Sequence, residues 1–251
     1  MKQIGDCHLC DHIYAAQFRD ELILLDTKRD KYTICFPQIT KLMMGLIEKE
    51  LLDSEDMTLL PSGVPPAQGL TDTQMLIDQK IIEKKDTAYP FYIDRKIDSN
   101  GVSNVDWRLF LEDNEIELNF SVAKALITLL QVNFYMKIKG FYSTIQLIKK
   151  YRKTNVTYII PKLVELQSLA NIVNKACLIY PTRTKCLEWA ITFVLLALKQ
   201  KWKCNLEIGV QNYPFLAHAW VECDEKVVMD SQDLREGMAI ILNEPFRKLK
   251  I

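Results

Sequence analysis

Pro181-Thr-Arg-Thr-Lys-Cys-Leu-Glu-Trp-Ala-Ile-Thr-Phe-Val-Leu-Leu-Ala-Leu-Lys199 decides how the C-terminal half of this chain folds. The proline and its neighbours break the preceding element. Leu187, Trp189, Ala190, Phe193, Val194, Leu196 and Ala197 then make a helix apolar enough to be buried. Thr182 or Thr184 is in place to cap it. Downstream, Asn205–Val210, Phe215–Glu222 and Lys226–Met229 have strand composition, with turn residues at Asn212-Tyr-Pro and Cys223-Asp-Glu. Upstream, helical spacing predicts Phe120 to Lys139, Phe141 to Arg152 and Leu163 to Tyr180. Helices followed by an antiparallel sheet make this half α+β.

Chemistry gathers on the same elements. Cys186 opens the long helix, where the positive end of the helix dipole and the flanking Arg183 and Lys185 favour thiolate over thiol. The plainer alternative is a small buried residue starting a core helix. His218, the one imidazole in the C-terminal half, lies in Phe-Leu-Ala-His-Ala-Trp-Val-Glu, and Asp230 closes Lys-Val-Val-Met-Asp. A thiolate needs a base, and the base needs a carboxylate to hold one tautomer, so Cys186, His218 and Asp230 form a chemically complete set. Register sets the condition for their meeting: an odd hairpin loop places His218 directly opposite Asp230, whereas a two-residue loop puts them on opposite faces. Cys204 and Cys223 lack the helix-start setting and read as structural or incidental, and Cys177 reads as a helix-face residue.

Composition narrows the partners. The 251 residues carry 32 basic and 32 acidic side chains, so the molecule as a whole has no field to collect nucleic acid, and a charged partner must be read by a local patch. A basic run, Lys137 to Lys153, is such a patch or a solvated helix face. No secretory signal opens the chain and the longest apolar run, Ala190 to Leu198, is too short for a membrane span, which predicts a cytoplasmic protein with seven reduced cysteines. No phosphate-cradling loop occurs, so no cofactor is bound by a visible motif. Cys7-His-Leu-Cys-Asp-His invites a zinc reading, but a second ligand pair is missing and no metal is predicted.

Toward the N-terminus, His12–Phe18, Glu21–Asp26 and Lys31–Phe36 read as a small antiparallel sheet, and Pro37 starts a helix over Gln38–Leu52. A turn-rich break at Pro61 to Gly69 precedes a helix capped by Thr71 or Asp72, with Met75, Leu76, Ile81 and Ile82 on its apolar side. The expected division is a module at 1–88, a linker or lead-in at 89–118 and a second domain at 119–251.

The strings Arg183-Thr-Lys-Cys-Leu-Glu-Trp-Ala, Leu206-Glu-Ile-Gly-Val and Pro214-Phe-Leu-Ala-His-Ala-Trp-Val-Glu resemble those of lasso-peptide maturation B proteins, with triad spacing to match over Thr182–Asp230. The resemblance implies a transglutaminase- or papain-like cysteine protease domain with Cys186, His218 and Asp230 as triad. The N-terminal pattern is similar to a RiPP recognition element, a winged-helix-like module of three strands and three helices. Together these imply an α+β leader peptidase that holds a precursor's leader while cleaving it, beside an asparagine-synthetase-like macrolactam synthetase, in an ATP-associated reaction. The edge Lys31, Tyr32, Thr33 and Ile34 is the candidate leader-binding strand, with Ile77 and Ile81 as its apolar wall. The same residues serve equally as module core. A transglutaminase-like acyltransferase and an inert peptide-binding scaffold are the alternative functions. The Cys186 backbone N–H is a reasonable first oxyanion donor, with no second donor assigned.

Overall fold

A computed structural model describes residues 6–48, 66–105, 107–109 and 119–250. It is mixed α+β and divides into two compact units: residues 1–98 with 248–251, and residues 99–247.

In the first unit the three expected strands are present as β2 (Ile13–Phe18), β3 (Glu21–Asp26) and β4 (Lys31–Cys35). Helix α1 (Pro37–Glu48) follows with proline at its first position; the end of the expected helix, 49–52, lies outside the described residues. The Thr40 hydroxyl fastens this helix to the sheet, accepting from the Leu22 N–H at 2.8 Å and donating to the Cys35 carbonyl at 3.0 Å. Helix α2 (Pro66–Asp78) begins earlier than Thr71, because Pro66 fits a first helical turn as well as it fits a loop. It also ends earlier. Lys80 takes a left-handed φ of 57°, and β5 (Ile82–Lys85) starts directly after, so Ile81 and Ile82 are not on the helix.

Strand β5 pairs with β1 (Asp6–Leu9), which puts Cys7 opposite Lys84 and His8 opposite Glu83. His8 donates to the Thr87 carbonyl and meets the Tyr89 ring edge-on. The Cys7-to-His12 stretch thus opens on a strand. Residues 89–96, expected as linker, belong to this unit: Tyr89 and Ile93 are buried in its core, and β6 (Arg95–Lys96) adds to β2 in parallel. The main sheet runs β4-β3-β2-β6, four strands rather than three, with β4 on its edge. Ile77 and Ile81 are half-buried against the core of the unit.

The second unit is built around α6 (Cys186–Lys199), in which every residue from Trp189 to Leu198 is buried. A helix apolar on all sides must be enclosed. It packs against α3 (Phe120–Phe134), α4 (Gly140–Tyr151), α5 (Leu163–Ile179) and the strands β7 (Asn205–Gln211) and β8 (Leu216–Cys223). The buried Trp189 indole donates to Asn174 on α5 at 2.6 Å, so the one polar atom of that ring is satisfied. Between α3 and α4 a π-helical turn, Tyr135–Lys139, leads into Gly140, whose φ of 79° suits a residue without Cβ. The antiparallel sheet is ordered β10-β7-β8-β9, adding β9 (Lys226–Val228) and β10 (Ala239–Glu244), with the short helix α7 (Asp233–Gly237) between them.

Candidate active site

Cys186 occupies the first position of α6, partly exposed. The cap is not a threonine. Lys185 is the N-cap, its N–H donating to the Glu188 carboxylate at 2.8 Å, while Thr184 is buried beside the Cys177 thiol. Glu188 thus satisfies one backbone donor that the helix start leaves free, and Cys186 keeps its place at the positive end of the dipole.

His218 sits on β8 opposite Gly209 of β7, 4 % exposed. On its other side β8 is paired with β9 only at Val221, Glu222 and Cys223. Short of that ladder the strand edge is left to Cys186, which meets both the His218 ring and the Ala219 backbone N–H.

The hairpin loop is two residues, Asp224 and Glu225, both with positive φ, and Cys223 pairs with Lys226. That register alone carries Asp230 to the wrong face. Pairing, however, ends at Val228, and Met229 adopts a left-handed φ of 57° that turns the chain back. The expected geometric condition was therefore too strict: His218 Nε2 and Asp230 Oδ2 stand 2.7 Å apart, and the other carboxylate oxygen accepts the Ser231 N–H at 2.9 Å. With Nε2 committed to Asp230, Nδ1 is the nitrogen left for the thiol. The loop carrying Asp230 also borders a cavity of about 460 Å³, lined by Ser231, Asp233, Glu236 and residues 101–104 among others.

The electrostatics follow from these contacts. Burial pushes the Cys186 thiol up, but the hydrogen bond and charge of His218 and the N–H groups of Ala219 and Leu187 outweigh it, and the net shift is downward. Burial pulls His218 down, yet Asp230 and Cys186 raise it to about 9. The two shifts are one exchange, each ion stabilising the other, and they favour a thiolate–imidazolium pair. A rate that depends on this pair rises as Cys186 ionises on the acid side, and falls above about pH 9 as His218 loses its proton. The pH profile of kcat/KM checks this; a rate still climbing beyond pH 9 would show an unpaired thiol reacting.

The other thiols differ in setting. Burial raises Cys7, Cys10, Cys35 and Cys177. Cys204 and Cys223, both buried, hydrogen-bond each other, which lowers Cys223 and raises Cys204. Cys223 also donates to the Lys203 carbonyl at 3.2 Å. Only Cys186, among these, combines a lowered pKa, partial exposure and an imidazole.

Sequence reasoning missed the support beneath His218. The Trp220 ring stacks on His218 at 6.2 Å between centroids and lies over Gly209, where an added Cβ would stand 2.4 Å from the indole. Leu234 and Met238 are buried in one cluster with the ring, Met238 close beside Gly209 as well. Gly209→Ala is expected to destabilise the fold by about 1–3 kcal/mol, because the added methyl would force the buried indole, and Met238 beside it, to shift. Urea unfolding checks it, and a variant as stable as wild type would mean the ring can shift without cost. The signal was the lone glycine inside a strand pattern.

Residues 128–243, under half of the chain, match a family described as transglutaminase-like superfamily and form a domain of that kind. Such domains usually belong to cysteine peptidases or acyltransferases. No curated protein and no solved structure matches the chain. No helix among the described residues is long and apolar enough to cross a membrane.

Proposed function

We propose, starting from the transglutaminase-like domain at 128–243, that the chain is a cysteine peptidase that removes the leader of a lasso-peptide precursor. The observation that carries the reading is His218 held between Asp230 and Cys186 at the start of α6. In this reading the Cys186 thiolate attacks the carbonyl carbon at the leader–core junction. His218 gives its proton to the departing amine of the core, leaving a thioester to the leader. His218, now neutral, takes a proton from water as it attacks that thioester, and Cys186 is released. Asp230 steadies the imidazolium throughout. The Cys186 N–H is the first candidate donor to the oxyanion.

The N-terminal unit is proposed to hold the leader, as a winged-helix-like recognition module. Its β4 edge supports a leader added as a further strand, with Lys31, Tyr32, Thr33 and Ile34 giving main-chain bonds and side-chain register. The part of Ile77 and Ile81 not taken by the core would supply an apolar wall. Ring closure, and the ATP it consumes, fall in this reading to an asparagine-synthetase-like partner.

The acyltransferase reading uses the same thioester and differs only in admitting an amine in place of water. Mass spectrometry of a lasso precursor incubated with this chain, the synthetase and ATP separates the two. Free leader with a carboxylate end and a shortened core is the expected result. A leader joined to added amine would move the assignment to acyl transfer, and a precursor bound but uncut would move it to a scaffold.

A further inference from the structure

Helix α3 and the π-helical turn after it present a second feature, apart from the cysteine. Their inner face is buried through Val122, Ala125, Leu129 and Val132. The outer face carries Phe120, Ile127, Leu130, Phe134 and Ile138, between 48 % and 85 % exposed. Spacings of seven, three, four and four put these side chains along one side of the helix. At about 1.5 Å per residue the row is roughly 27 Å long. Large apolar side chains in one line on the outside of a domain are not surface background.

Charge is the second observation. Between Asn119 and Val164 the chain has no aspartate or glutamate, against seven lysines and one arginine. Lys149 and Arg152 turn inward, to Glu244 and to the Pro245 carbonyl. Lys124, Lys137 and Lys139 are exposed on the segment that carries the apolar row. In a chain of zero net charge, the charges on the ridge-bearing segment itself are of a single sign, the nearest carboxylates in the sequence being Glu112, Asp113, Glu115 and Glu117 just before it.

We propose that this ridge docks the protein on an anionic lipid surface, the apolar row entering the headgroup boundary and the lysines meeting lipid phosphates. A second copy of the chain is disfavoured, because two surfaces of the same sign would face each other. A protein partner would need an acidic groove shaped to a protruding row, whereas a fluid bilayer closes around it without a preformed complement. Lysine stems can lie along the apolar row while their ammonium groups stay in water. No described helix is fit to span a membrane, so the mode is peripheral.

The test is co-sedimentation of the full chain with phosphatidylglycerol–phosphatidylcholine vesicles and with pure phosphatidylcholine vesicles. Binding to the first at low salt, weakened at least about tenfold by raising the salt to 0.5 M, is expected, with little binding to the second. Ile127→Ser with Phe134→Ser, both solvent-exposed, is expected to lower partitioning at least about tenfold with unchanged unfolding. Lys137→Gln with Lys139→Gln is expected to do the same, at about fivefold or more. Absence of binding to the anionic vesicles, or undiminished binding by the serine variant, overturns the proposal. So does a dimer in solution that the serine variant makes monomeric, which would make the ridge a self-interface. None of these readings requires a peptidase, so the ridge and the triad stand or fall separately.

Discussion

On the proposed peptidase reading, Cys186→Ala is expected to lower leader removal at least about 10⁴-fold while leaving leader binding intact. The sulfur is the only atom at this position that can form the acyl link, and His218 and Asp230 have no nucleophile to serve once it is gone. The fold should not suffer. Alanine has the highest helix propensity, the position is the first of α6, and the cap formed by Lys185 and Glu188 is untouched. The variant should therefore hold precursor without consuming it. Single-turnover mass spectrometry reads the rate, and fluorescence anisotropy of a labelled leader reads the binding. Cleavage that persists at wild-type rate would place the nucleophile elsewhere.

Asp230→Asn is expected to cost about 10²–10⁴-fold in kcat/KM, for a reason visible in the carboxylate's second bond. Its Oδ1 accepts the Ser231 N–H. An asparagine keeping that contact turns its amide nitrogen toward His218 Nε2, so two donors face each other whenever the ring is protonated. His218 then falls from about 9, and Cys186 rises as its imidazolium partner is lost. The alkylation rate of Cys186 by iodoacetamide, followed against pH, reads this directly. The acid limb should move up in pH in the variant. An unmoved limb would mean that Asp230 does not act through the ring.

Much of this was legible in the sequence because the signals are local. The apolar run after Cys186, the alternation through β2, β3 and β4, and Pro37 at the start of α1 each predict their element from neighbouring residues. What escaped depends on distant partners. β1 is four residues long and pairs with β5 some seventy positions away, and β6 is two residues of an otherwise irregular stretch. The expected winged-helix-like module had three strands and three helices, whereas the described part of the N-terminal unit has a four-stranded main sheet and two helices. At the site, Cys186, His218 and Asp230 could be chosen by type and spacing, but their meeting could not be derived. It turns on Met229, a residue with no special liking for a left-handed backbone, held there by what surrounds it. Trp220 was likewise invisible as a support, because its role needs Gly209 across the ladder and the packing of Leu234 and Met238 around it.

Residues 248–250 return to the first unit: Leu249 bridges Phe91, the Lys250 N–H donates to the Pro90 carbonyl, and the Lys250 ammonium lies 5.6 Å from the centre of the Tyr89 ring. The second unit is thus an insertion within the first. During translation, everything that unit 2 requires has been made before the last strand contact of unit 1 exists. A chain ending at Arg247 would hold all the residues of its candidate active site and a first unit still lacking its clasp. Limited proteolysis of a released chain ending at Arg247 is expected to show residues 99–247 protected while Tyr89 and Phe91 remain open to cleavage.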